Sequence, residues 1–147
     1  MAETIIRTME LKDIPDVHDI FKNSIKSFWS LDELTKELYN DIAFYLVSET
    51  DGSVSGFCGA WLVLEEAQIT NIAIREDLRN TGIGKKLFKT FIKELLLKNI
   101  DVIYLEVRES NTSAQKFYES LDFEKMGIRK RFYSDGENAF LMYLPIN

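Results

Sequence analysis

The run Leu78 to Leu97, LRNTGIGKKLFKTFIKELLL, constrains the fold more than any other stretch, because it reads as a glycine loop opening a helix. Ahead of it, ITNIAI at Ile69 to Ile74 has the β-branched content and short length of a buried strand. Behind it, Ile83, Leu87, Phe88, Phe91, Ile92 and Leu95 recur at helical spacing. Gly82 and Gly84 lack a Cβ, so a bulky anion can approach the backbone. The first free N–H groups of the helix point at such a guest, and the helix dipole favours its charge. A phosphate or pyrophosphate suits this loop, although glycines here can also simply make a tight turn. Two familiar phosphate loops are excluded. A Walker A loop needs Ser or Thr after its lysine, but Lys86 follows Lys85, and Arg79 stands where its first glycine belongs. A dinucleotide fingerprint needs a third glycine, and Leu87 occupies that place.

The chain around this loop supplies one core. With 147 residues, 46% of them hydrophobic, and no Pro/Gly/Ser-rich linker, residues 1–147 read as a single domain. The opening MAETIIRTMELKD alternates charged and apolar residues, and no apolar run approaches the roughly 20 residues of a membrane span. A cytoplasmic protein without membrane contact is expected. The single cysteine, Cys58, fits a reducing compartment and reads as a buried small hydrophobe. His18, the only histidine, has no metal partner and reads as a surface residue, so no metal site is expected. The net charge of −6 and the lack of a basic stripe with interleaved aromatics disfavour direct nucleic-acid binding and suit a basic protein or amine partner.

In chain order, Thr4 to Met9 is a strand candidate, followed by a helix that Asp13 can cap, with Pro15 as its second residue. Val17, Ile20, Phe21 and Ile25 give that helix an apolar face. Ser30 to Glu33 matches a capping box for a second helix ending near Tyr39. Ala43 to Thr50 and Val54 to Leu64 are strands joined by an Asp51-Gly52 hairpin turn, and Ala67 to Ile74 completes a meander. Val102 to Val107 follows the glycine-loop helix, which makes a parallel right-handed crossover. Asn111 or Thr112 can cap a helix carrying Ala114, Phe117, Tyr118 and Leu121, and Phe123 to Ile128 with Ala139 to Leu144 close the sheet. The fold class is α/β, a mixed sheet of about seven strands flanked by about four helices.

A second informative stretch is LEVRESNTSAQKFYESLDF, Leu105 to Phe123. Alternation puts Leu105 and Val107 on one strand face and Glu106 with Arg108 on the other. A glutamate inside an apolar strand can pair with a lysine or arginine on an open face. It can also project into the crevice where two parallel strands part at their C-terminal ends, and accept a proton there.

The run NIAI at Asn71 to Ile74, the Arg-x-x-Gly-x-Gly loop at Arg79 to Gly84, LEVRESN at Leu105 to Asn111 and AxxFYESLDF up to Phe123 resemble the RimI group of GNAT N-acetyltransferases. These motifs stand in the family's order. The resemblance implies acetylation of the N-terminal α-amine of a ribosomal protein by acetyl-coenzyme A. It makes Glu106 the general base and Tyr118 the general acid, although Tyr118 can also be read as a core aromatic. It gives the pantetheine arm to the backbone of Ile72, Ala73 and Ile74, and the pyrophosphate to Asn80, Thr81, Gly82, Ile83, Gly84 and Lys85. Arg79 holds the loop's glutamine-or-arginine position, and Asn111 would bond the pantetheine. Lysines in a first helical turn, Lys85 and Lys86, oppose the dipole unless an anion sits there; otherwise they line a solvated face.

The chemistry accounts for these residue types. An α-amine with a pKa of about 8 loses its proton far more readily than a lysine at about 10.4. A carboxylate can take that proton, and a tyrosine can protonate the departing thiolate. A backbone N–H around Ile72 to Ile74 would serve the developing oxyanion, and no covalent intermediate is needed, which leaves Cys58 dispensable. In the run RKRFYSDGENAFLM, Tyr133 and Glu137 match the family's acceptor segment, whereas Asn138 replaces its usual aspartate and Asp122 its usual glycine. Tyr133 can line the peptide groove or simply pack. Transfer to a small amine such as a polyamine or amino sugar, and a non-catalytic acyl-coenzyme A sensor, are the alternative functions.

Overall fold

The computed structural model describes residues 3–24 and 28–147. Seven strands form one sheet in the order β1-β2-β3-β4-β5-β7-β6. They are β1 (Thr4–Thr8), β2 (Ala43–Thr50), β3 (Ser53–Val63), β4 (Glu66–Ile74), β5 (Val102–Arg108), β6 (Glu124–Arg129) and β7 (Ala139–Pro145). All pairings are antiparallel except β4 with β5. Asp51 and Gly52, with φ of 51° and 84°, make the hairpin between β2 and β3, as their sequence signals.

Four helices cover the two faces: α1 (Ile14–Ser24), α2 (Leu31–Glu37), α3 (Ile83–Leu97) and α4 (Thr112–Ser120). On one face Val17, Ile20 and Phe21 of α1 and Leu34 of α2 pack on Tyr45, Val47, Phe57 and Ala73. On the other, Leu87, Phe88, Phe91 and Leu95 of α3 and Tyr118 of α4 pack on Cys58, Ala60, Ala67, Ile69, Leu105 and Val107. Ile25, expected on the apolar face of α1, lies outside the described residues. The capping box of α2 forms as expected: Glu33 N–H donates to Ser30 Oγ at 3.1 Å, and Ser30 N–H donates to Glu33 Oε1 at 3.0 Å.

Asp13 does not cap α1. It closes a short 3-10 turn by accepting from Glu10 N–H at 2.8 Å, and both carboxylate oxygens accept from the Arg7 guanidinium, at 2.7 and 2.8 Å. Only 2% exposed, Asp13 is held by a strong bidentate pair that outweighs a single capping bond.

Strand β4 carries a bulge. Gly59 pairs with Asn71 and Ala60 with Ile69, which leaves Thr70 as the extra residue. The bulge reverses the facing of the strand: Ala67 and Ile69 before it, and Ile72 and Ile74 after it, all meet the α3 side. Ala73 joins the α1 and α2 side.

Candidate active site

β4 and β5 are joined only where Glu66, Ala67 and Gln68 pair with Val102, Ile103 and Tyr104. Beyond that point β4 continues along β3 to Ile74, and β5 continues along β7 to Arg108, so the two strands part. Arg75 N–H donates to the Ser55 carbonyl of the β3 side at 2.7 Å. Strand alternation therefore turns the N–H and C=O of Ala73 toward β3, and those of Ile72 and Ile74 into the opening. The sequence pattern groups all three residues; the structure divides them.

At the end of β4 the loop enters α3 through Gly82, whose φ of +90° only glycine adopts readily. The N–H groups from Asn80 through Lys85 have no protein acceptor among the described residues; the first that does is Lys86, which donates to the Gly82 carbonyl at 3.1 Å. A Cβ at Gly84 would stand 3.3 Å from Phe117 Cζ of α4, so this position admits no larger side chain without displacing that ring. The Arg79 side chain turns back to donate to the Ile74 carbonyl at 3.2 Å and to Ser24 Oγ at 2.9 Å, which fixes the root of the loop. Lys86 reaches the Thr4 carbonyl, while Lys85 stays exposed. Asn111 caps α4, its Oδ1 accepting from Ala114 N–H at 3.1 Å. The loop is thus a row of unpaired donors beside a strand opening, a set that fits a pyrophosphate followed by an extended amide-bearing arm.

Glu106 stands on the α1 and α2 face, since Leu105 and Val107 face α3. Its Oε2 accepts from Gln68 Nε2 at 2.6 Å, and its Oε1 lies 3.4 Å from Arg129 Nε of β6. Burial raises its pKa above the ordinary carboxylate value, against the lowering pull of Arg129 and Gln68. Tyr118 belongs to the opposite face, where it packs edge-on against Phe117 and Phe123. Its hydroxyl makes no hydrogen bond among the described residues, and burial pushes its pKa up, with Cys58 and Tyr133 adding to the rise. Cys58 pairs with Ile72 across the sheet, so Tyr118 lies alongside the opening.

Arg108 organises the β6–β7 loop. It donates to Glu137 Oε1 at 2.8 Å and to Asp135 Oδ2 at 2.9 Å, and its guanidinium lies 4.0 Å from the centre of the Tyr133 ring. The second Glu137 oxygen accepts from Ser110 N–H at 2.9 Å. Hydrogen bonds from Ser110 and Arg108 hold the Glu137 pKa down. Tyr133 is half-buried beside them and faces the charge of Glu106. Asn138, the departure from the family pattern, accepts from Arg131 N–H at 3.0 Å. Asp122, the other departure, takes φ of 74°, the left-handed conformation that glycine adopts at no cost.

The residues that sequence reasoning missed are Gln68, Arg129, Tyr45 and Asn71. The Tyr45 ring covers Gly59, and its hydroxyl shares a 2.9 Å hydrogen bond with Thr70 Oγ1. Beside it the Asn71 amide is 5% exposed, and neither of its polar atoms has a hydrogen-bond partner among the described residues. Neither Gln68 nor Arg129 carried a sequence signal, since each reads as an ordinary polar position on a strand. A hollow between α1 and the start of β3 is lined by four carboxylates, Asp16, Asp19, Glu76 and Asp77, and by Arg75, whose guanidinium is already paired with Asp77. Among the described residues no cluster of His, Cys, Asp and Glu could hold a metal ion, and no helix is long and apolar enough to cross a membrane.

Comparison with known proteins places these features in context. The acetyltransferase (GNAT) family pattern matches residues 12–123. A protein of Bacillus subtilis (strain 168), provisionally called ribosomal protein bS18-alanine N-acetyltransferase, is 42% identical over 148 aligned positions, covering 99% of this chain and 98% of its own. The ribosomal protein bS18-alanine N-acetyltransferase of Escherichia coli (strain K12) is 32% identical, covering 97% of each chain. The crystal structure of the ribosomal-protein-S18-alanine N-acetyltransferase from Escherichia coli superposes with a TM-score of 0.89 at 31% identity, covering 99% of this chain and 95% of that one. That of Ard1 from Thermoplasma volcanium gives 0.91 at 27% identity, covering 98% of both.

Proposed function

The chain belongs to the acetyltransferase (GNAT) family, and we propose that it transfers the acetyl group of acetyl-coenzyme A to the N-terminal α-amine of a ribosomal protein in the cytoplasm. The observation that carries this reading is Glu106, a half-buried carboxylate of raised pKa at the mouth of the β4–β5 opening, with Tyr118 alongside it on the opposite face. The names of the full-length relatives support the acceptor.

Bound acetyl-coenzyme A supplies the activated thioester. The chain's own residues supply binding, orientation and proton transfer. The N–H groups of Asn80, Thr81, Gly82, Ile83, Gly84 and Lys85 hold the pyrophosphate, helped by the dipole of α3. Ile72 and Ile74 offer strand groups to the pantetheine, and the Asn111 Nδ2 is available to it because only the oxygen of that amide is used in the cap. Ala73 takes part only by fixing the strand to β3, and Arg79 by bracing the loop.

Glu106 accepts the proton of the α-ammonium, directly or through a water, and Gln68 fixes which oxygen remains for it. The Ile72 N–H is oriented to donate to developing negative charge. Tyr118, kept protonated by burial, donates to the leaving thiolate. Tyr133 lines the acceptor side, and Glu137 acts as a brace, since Arg108 and Ser110 already occupy its carboxylate.

The test is mass-spectrometric acetylation of a basic ribosomal-protein N-terminal peptide with its α-amine free or blocked, beside a panel of small amines. Transfer to the free α-amine alone is expected. Transfer to small amines alone refutes the acceptor, and acetyl-coenzyme A binding without any transfer refutes catalysis.

A further inference from the structure

Glu37, the last residue of α2, is a buried carboxylate held by neutral donors. It is 6% exposed, and it accepts from Trp61 Nε1 at 3.0 and 3.2 Å and from Asn40 Nδ2 at 3.1 Å. These donors are neutral, and no lysine or arginine pairs with Glu37 among the described residues. Charges are seldom buried without an opposite charge nearby. Glu37 therefore leaves a negative potential at the surface above it.

That surface is a groove lined by Trp29, Glu33, Lys36, Glu37, Asn40 and Trp61. Trp29 and Trp61 stack there with ring centres 6.3 Å apart and planes 24° apart. Lys36, which also lines the groove, already pairs with a carboxylate, its Nζ 3.1 Å from Asp32. Indole faces backed by carboxylates attract cations, and a planar guanidinium stacks on an indole better than an ammonium does.

The groove also lies on the same face of the sheet as Glu106. Trp61 pairs with Gln68 across β3 and β4, and Gln68 donates to Glu106. Trp61 and Gln68 are on the α1 and α2 face, as is Glu106. Two strand spacings separate Trp61 from β5, roughly 10 Å, a span that about three residues of extended chain cover.

We propose that this groove seats a cationic side chain, a guanidinium in preference to an ammonium, of the acceptor polypeptide within a few residues of its N-terminus. The inference rests on the α-amine reading above and adds a determinant of acceptor choice. The partner follows from charge complementarity, because Glu37 and Glu33 meet a cation in a chain whose net charge is −6.

The experiment compares peptides with one N-terminal residue in common and Arg, Lys, citrulline or Ala at the second, third or fourth position on a neutral background. The quantity read is kcat/KM for α-amine acetylation, with wild-type enzyme, Glu37→Gln and Glu33→Gln. At one position Arg should exceed citrulline, its uncharged isostere, by about tenfold, mainly through KM, with Lys between them. Glu37→Gln should reduce that ratio to about threefold or less. Because citrulline tests the charge from the peptide side, the comparison stands even where Glu37→Gln does not fold. Equal rates for Arg and citrulline at every position, or a ratio undiminished in both variants, would overturn the proposal while leaving α-amine transfer intact. No α-amine acetylation of any peptide would overturn both.

Discussion

Replacing Glu106 by Gln separates a catalytic base from a structural ion pair, because the first role predicts a lost rate at nearly unchanged stability and the second a retained rate or a clear loss of stability. The new amide keeps its oxygen where Gln68 Nε2 donates at 2.6 Å, so the contact between β4 and β5 survives. What disappears is the 3.4 Å pair with Arg129, whose side chain is 52% exposed, and such a pair contributes about 0–1 kcal/mol. Against that loss stands the cost of burying the charge. Burial raises the Glu106 pKa, so the folded state holds the proton more tightly than the unfolded state does. The associated stability is therefore present at acid pH and is lost as pH rises through the raised value. At neutral pH the ionised carboxylate is a burden, and the amide relieves it. The two effects offset, and the melting temperature should move by no more than about 4 °C. The rate should fall by about 10²–10⁴-fold, equivalent to roughly 3–5 kcal/mol of barrier. Steady-state acetylation of a free α-amine peptide, calorimetric titration with coenzyme A and thermal melting measure the three quantities. A rate within tenfold of wild type, or a melting temperature lowered by more than that bound, would mark Glu106 as a structural partner of Arg129.

Tyr118→Phe removes a buried hydroxyl that makes no hydrogen bond among the described residues, so the melting temperature should hold while kcat drops by about 10²-fold; an unchanged kcat would return Tyr118 to the core. Gly82→Ala adds a Cβ that meets nothing within 4 Å, so its cost is the backbone strain at φ +90° alone, about 1–2 kcal/mol. Calorimetry should show a melting point lower by several degrees and weaker coenzyme A binding, and an unaltered melting point would contradict the loop geometry. The pH profile of kcat/KM should lose activity on the acid side as Glu106 protonates, at a pH above its unperturbed value of 4.5, because burial favours the neutral form. On the alkaline side Tyr118 should impose no limb below its unperturbed value of 10.0, since burial keeps the phenol protonated. An acid limb below 4.5 would exclude Glu106 as the base.

The parts of this molecule legible in the sequence are those set within a few residues. The Ser30–Glu33 capping box, the Asp51-Gly52 turn and the strand-loop-helix unit ending in α3 all rest on local sterics and local hydrogen bonds. Asp13 deceived the same logic because its partner, Arg7, comes from a strand, and a bidentate ion pair outweighs one capping bond. The pairing of Glu106 with Arg129 depends on β7 lying between β5 and β6, an order that no local pattern specifies. Glu106 itself was legible as an interruption of an apolar strand, and the family resemblance supplied the role proposed for it. Gln68 passed unnoticed because a glutamine in a strand looks like an ordinary exposed position until Tyr104 and Glu106 are placed beside it.

The bulge at Thr70 explains how one sheet can present Glu106 and Tyr118, the proposed base and acid, from opposite sides. Under strict alternation Ile72 and Ile74 would face α1, and Asn71 and Ala73 would face α3. The extra residue exchanges these roles: the isoleucines close the α3 side under the glycine loop, and Asn71 and Ala73 sit beside Tyr45. The change comes just after Gln68, the last residue of β4 that pairs with β5. The sheet is therefore open where Glu106 looks out on one face and Tyr118 lies on the other. A proton can leave the acceptor toward Glu106 while another arrives from Tyr118 without either side chain crossing the sheet. That division of labour is what the proposed direct transfer between two bound substrates requires. Cys58, fully buried with its thiol pKa pushed up, is held away from the role of nucleophile. A Cys58→Ala variant should accordingly keep its rate, and a loss exceeding tenfold with the fold intact would mean that the sheet opening does not by itself bring the two substrates together.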